Sequence, residues 1–164
     1  MRERKLAYLG LFLALALICS YVESLIPFYF GIPGVKLGLT NVVVVLMMYS
    51  MGERDALLVS VARILLAGFL FGNLFSIAYS LAGGLLSFAV MVLLKRFSGL
   101  SVIPVSVCGG ISHNIGQILL AAVIVENYHI MYYIPVLLVA GFLTGLLIGI
   151  LSQEMILRLK KIQR

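Results

Sequence analysis

Residues 113–117 read His-Asn-Ile-Gly-Gln, and they sit in a run from 102 to 125 that holds no charged residue. Imidazole and carboxamide groups donate and accept hydrogen bonds. Spaced four apart, His113 and Gln117 share one helix face, with Asn114 beside them. A run of this length spans about 30 Å of hydrocarbon as a helix. Polar side chains at its centre are costly unless they face protein, water or a ligand. The chemistry they offer is recognition of a polar molecule inside an apolar layer. Arg63 is the other demanding residue, being the only charge between 56 and 94. A mid-membrane arginine needs a partner. Two readings stand: a structural network with His113, Asn114 or Gln117, and a ligand-facing role.

The surrounding chain explains why lipid is the expected solvent. Of 164 residues, 63% are hydrophobic and 11% charged. A soluble domain of this length cannot hide that much apolar surface. Arg2, Arg4 and Lys5 followed by an apolar run resemble the start of a signal peptide. The run is somewhat long, and residues 19–23 offer no convincing cleavage site, so it reads as a first transmembrane helix. Cys19 and Cys108 fall in different spans without metal-ligand spacing and read as small hydrophobes. Net charge is +6, but the basic residues mark segment ends, which points to topology and anionic lipid rather than nucleic acid.

Punctuation divides the chain into spans at about 6–22, 35–51, 56–71, 74–94, 102–125 and 130–157. As one helix, residues 56–94 would reach about 58 Å, too long for a bilayer, so Gly72-Asn73 is the expected break. Six spans put ten lysines and arginines on the side of the N-terminus and leave only Lys36 on the other, with Arg63 within a span. That is a positive-inside pattern, with both termini cytoplasmic in a multi-pass protein of the cell membrane. The expected fold is a six-transmembrane-helix, all-α bundle forming one integral membrane domain over residues 1–164. Continuous apolar runs do not fit a β-barrel.

In this topology the polar residues gather in the outer half: Thr40 and Asn41 in span two, Asn73, Ser76, Tyr79 and Ser80 in span four, and His113 to Gln117 in span five. A cavity open outward and closed inward is the simplest geometry. Glu23, Lys36, Asn73 and Glu126 are candidates for its outer rim. Each has a plainer reading: Glu23, Lys36 and Glu126 as interface residues, Asn41 and Asn73 as interhelical glue, and Ser60, Ser76, Ser87 and Thr144 as bonding their own backbone. The glycines at 141, 145 and 149 form a smooth stripe suited to helix packing.

Three segments resemble the Gx transporter family, often labelled heptaprenyl diphosphate synthase component I. They are Val35-Lys36-Leu37-Gly38-Leu39-Thr40-Asn41, Tyr79-Ser80-Leu81-Ala82-Gly83-Gly84 and His113-Asn114-Ile115-Gly116-Gln117. The likeness covers nearly the whole chain. Thr40 stands where alanine is usual, a hydroxyl expected to change nothing. The resemblance implies a substrate-binding S-component of an energy-coupling factor (ECF) transporter, working with a transmembrane coupling subunit and two cytoplasmic ATPases. It implies that a small-residue face on the first helix, here Gly10 and Ala14, meets the coupling subunit.

On this reading Asn41, Arg63, Tyr79, His113, Asn114 and Gln117 bind substrate, and residues 27–34 form a lid. The substrate is a small molecule, anionic or isoprenoid-related. No catalytic residue, metal or cofactor is expected. The chain has no phosphate loop and one aspartate, Asp55, so it lacks the paired aspartates that hold magnesium on a prenyl diphosphate. A non-catalytic membrane component of a prenyl diphosphate synthase is the alternative, and a stand-alone permease or an assembly protein is a third.

Overall fold

A computed structural model describes residues 2–25, 38–126 and 128–162. Among them are six α-helices and no strand: α1 (Arg2–Leu25), α2 (Leu39–Ser50), α3 (Glu53–Phe71), α4 (Leu74–Phe97), α5 (Val102–Val125) and α6 (Ile134–Ile162). A 3₁₀ helix, Tyr128–Tyr133, leads into α6. Residues 27–34 and Lys36 lie outside the described residues.

The expected break between 71 and 74 is where α3 stops and α4 starts. Asn73 caps α4 through its side-chain oxygen, which accepts from the Ser76 amide at 2.8 Å, satisfying an otherwise free helix-start donor. The stretch 53–55, expected to lie in a turn, instead forms the first turn of α3. Glu53 and Asp55 are favoured there by the helix dipole. The turn shrinks to Met51-Gly52, with Gly52 at φ 113°, a conformation glycine tolerates. Lys95 and Arg96 likewise belong to the last turn of α4 rather than to a loop, where positive charge meets the negative helix end.

Among the described residues, four stretches are long and apolar enough to cross a membrane: Glu3–Leu25, Leu74–Phe97, Val102–Val125 and His129–Leu159. α2 has 12 residues, about 18 Å of helix, less than the hydrocarbon thickness. It is instead the most deeply packed element. Val43 to Met48 are all buried, and Met47 and Met48 are completely so. A helix apolar on all sides suits this interior position. Around it, large apolar side chains such as Leu11, Phe69, Leu74, Val123 and Val139 point outward. Apolar surface on this scale suits lipid contact rather than water.

α5 packs chiefly on α6 and α4, and α1 chiefly on α3 and α2. The glycine stripe of α6 lies directly on α5. A Cβ at Gly145 would come within 2.8 Å of the Ser106 oxygen, and one at Gly149 within 2.9 Å of the Ile103 Cα. The Ser106 hydroxyl donates to the Gly145 carbonyl across this contact at 2.8 Å. Absent side chains thus let two backbones meet, and a polar bond fastens them.

One end of the bundle is tied by charge. Lys5 pairs with Asp55 at 2.9 Å, and Arg96 Nε donates to Glu53 at 2.9 Å. That guanidinium contact holds the Glu53 carboxyl below the usual carboxylate range. Lys95 donates to the Met48 carbonyl at 2.8 Å and lies 5.1 Å from the centre of the Tyr49 ring. The ends of α2 and α4 therefore meet the starts of α1 and α3. The opposite end holds the cavity.

Candidate ligand-binding cavity

The cavity is built from all six helices. Gly110, His113, Asn114 and Gln117 come from α5 at the 3–4 spacing of one helix face. α1 contributes Ser20, Glu23 and Ser24 on the same principle, α2 Thr40 and Asn41, and α3 Arg63, Ile64 and Phe71. Ser76 and Ser80 line it from α4, and Thr144 and Ile148 from α6. Its volume is about 120 Å³, space on the scale of a small molecule.

Five of the six expected binding residues share this wall: Asn41, Arg63, His113, Asn114 and Gln117. Tyr79 does not line it. Its ring stacks on Phe75 with centroids 5.7 Å apart, while Ser76 and Ser80 face the space instead. Among the described rim candidates, only Glu23 lines the cavity; Asn73 is occupied as the α4 cap. Glu126 ends α5 in the left-handed conformation at φ 51° and is exposed. Gly10 and Ala14 are exposed on α1, and a Cβ at Gly10 would meet nothing within 4 Å.

Asn114 has a second task. Its amide donates to the Leu137 carbonyl at 2.7 Å, so the residue both faces the cavity and fastens α5 to α6. Thr144 bonds its own helix, to the Ala140 carbonyl at 2.9 Å. Gly83 of α4 makes room for the motif, since a Cβ there would sit 2.6 Å from Gln117 Cγ and 3.1 Å from His113 Nε2.

Glu23 is more than a rim residue. α2 begins after Gly38, whose φ of 74° needs glycine and which offers no capping side chain. Glu23 takes that role from α1. It accepts from the Leu39 amide at 2.8 Å and from the Thr40 hydroxyl at 3.2 Å. Thr40, 1% exposed, also bonds Ser20 at 3.1 Å. The Thr40 hydroxyl, expected to be incidental, is therefore part of the cavity wall. The 3–4 spacing of Ser20, Glu23 and Ser24 was the sequence signal for this face. Glu23→Ala should lower stability by about 1–2 kcal/mol, because the start of α2 loses a cap bearing full charge. Thermal unfolding in detergent, with Glu23→Gln showing a smaller loss, checks this.

Arg63 is the cavity's unanswered charge. Its Nε is buried and has no hydrogen-bond partner among the described residues. The chain has six carboxylates. Glu53, Asp55 and Glu154 pair with other cations, and Glu23 caps α2 while acting on Arg63 only electrostatically; among the described residues Arg63 makes no ion pair.

An all-helical bundle with outward-facing apolar side chains and long apolar helices defines a membrane-embedded protein. A family model described as heptaprenyl diphosphate synthase component I matches residues 12–155, and the chain belongs to that family. No curated protein and no solved structure matches it.

Proposed function

We propose that the protein is the substrate-binding membrane subunit of an energy-coupling-factor type uptake transporter. It captures a small molecule in a cavity facing the outside of the cell. The observation that carries this reading is a buried polar cavity containing an unpaired arginine, set at the end of the bundle opposite the charged ties. A cation left unpaired inside a membrane protein is expensive, and a ligand is what would offset it. The basic residues at the starts of α1 and α3 and the ends of α4 and α6 put that end in the cytoplasm. Both termini are then cytoplasmic and all six helices form one integral membrane unit. The short α2 is acceptable in it because neighbouring helices cover it.

The partners are a coupling subunit, reached through the exposed small-residue face of Gly10 and Ala14 on α1, and two cytoplasmic ATPases. Asn41, Arg63, His113, Asn114 and Gln117 contact the substrate, and Glu23 holds the wall. The chain itself is not an enzyme.

The family's description supports a second reading, a non-catalytic membrane component that assembles with a prenyl diphosphate synthase. With one aspartate in the chain, magnesium-bound diphosphate would have to be handled by the other component. Affinity purification of the tagged protein from its own cells separates the two. Recovery of ATPases and a second membrane subunit is expected. Recovery of a soluble prenyltransferase without ATPases would replace the first reading with the second.

A further inference from the structure

We infer that the ligand of this cavity is a small monocarboxylate, seated by its carboxylate on Arg63, and that diphosphates are excluded. The inference rests on the capture reading above and adds the chemical class.

Three observations combine. The first is the donor set. Arg63 lines the cavity and makes no ion pair with a described carboxylate, and the N–H groups of a guanidinium form a planar fork that a carboxylate takes with both oxygens.

The second is the charge balance. Arg63 is the only lysine or arginine lining the cavity among the described residues, and Glu23 lines it too. The Glu23 carboxylate is held by the α2 amide and the Thr40 hydroxyl, and it also acts electrostatically on Arg63. Arg63 makes no ion pair with a described carboxylate, so it is the one lining group able to meet a negative charge on a ligand, and a single charge is the most it can match. A diphosphate carries more charge than this wall can meet. The described residues contain no cluster of three or more His, Cys, Asp or Glu able to hold a metal ion that would neutralise the excess.

The third is size. A cavity of about 120 Å³ suits a small molecule. The remaining polar groups, Asn41, Gln117 and Ser80, suit hydroxyl or carbonyl substituents, and Ile64, Phe71 and Ile148 suit an apolar body.

The test is thermal unfolding of the full chain in nanodiscs with matched probes: benzoate and benzamide, hexanoate and hexanamide, 6-aminohexanoate, and inorganic pyrophosphate. Benzoate or hexanoate is expected to raise the melting temperature, with affinity at least tenfold above its amide and above 6-aminohexanoate. Pyrophosphate is expected to give no shift. Arg63→Gln should abolish the preference for acid over amide, and Arg63→Lys should restore part of it. A merely structural arginine would weaken acid and amide alike.

The inference is overturned if pyrophosphate or an amide stabilises as well as the acids, or if Arg63→Gln keeps the preference. Mass spectrometry of molecules retained by the wild-type protein from its own cells separates the two levels. A retained small molecule without a carboxylate leaves capture standing and removes the monocarboxylate. No retained molecule and no shift with any probe removes both.

Discussion

Gly110→Ala should lower stability by about 3 kcal/mol or more and leave little folded protein in detergent. The added Cβ would lie 2.4 Å from the Gly141 carbonyl oxygen and 3.1 Å from the Gly145 Cα. Both obstacles are backbone, so no side chain can rotate away. The helices must separate, and separation also strains the Ser106–Gly145 and Asn114–Leu137 hydrogen bonds. Overpacking alone costs about 1–3 kcal/mol, and lost interhelical bonds add about 0.6 kcal/mol each in membranes. Gly10→Ala is the control. Its Cβ meets nothing within 4 Å, and the better helix propensity should stabilise by about 0.5–1 kcal/mol. Size-exclusion profiles and thermal melts of the two variants check the contrast. Equal stability would mean that α5 and α6 do not meet as closely as their glycines allow.

Arg63→Met should do the reverse, stabilising the ligand-free protein while ending capture. Methionine fills much of the same volume without the charge. Leaving a buried charge unpaired costs several kcal/mol, and apolar replacements of buried ionic groups have stabilised proteins by about 1–4 kcal/mol. Water in the cavity solvates the guanidinium in part, so a gain of about 1–3 kcal/mol is the expected size. The sign decides between the two readings of this residue. A structural arginine bonded to His113, Asn114 or Gln117 would make Arg63→Met destabilising, because buried partners would lose their bonds. Unfolding without ligand, run beside a binding assay, measures both effects. Stability traded for function is the mark of a site.

Much of the architecture was legible along the chain because the bilayer imposes a length and a polarity on each helix. Residues 102–125 were bounded correctly by their lack of charge alone. The break at Gly72-Asn73 followed from the excessive length of 56–94. The boundaries at 53–55 and 95–97 shifted because charge is not a loop signal there, while residues 130–133, expected in span six, form part of a 3₁₀ helix before α6. In this fold the charges cap helix ends and tie them together, so they extend the helices they punctuate. The short α2 is a different case. Its Val43 to Met48 run looks the same whether lipid or protein surrounds it, and only packing shows that protein does.

The same division holds for the cavity. Helical spacing alone put His113, Asn114 and Gln117 on one face, and the apolar surroundings alone marked them and Arg63 as costly. Spacing on separate helices says nothing about how those helices are rotated against one another. The bundle therefore decided that Tyr79 turns to Phe75 while Ser76 and Ser80 line the space. It also decided that Glu23 reaches across to cap α2, and that Arg63 Nε is left without a hydrogen bond among the described residues. The physical reason is range. Hydrophobicity and helical period act along a single helix and can be read from its residues in order. Pairing of a buried charge or a free helix start depends on which neighbour stands within about 3 Å, and only the packed bundle determines that.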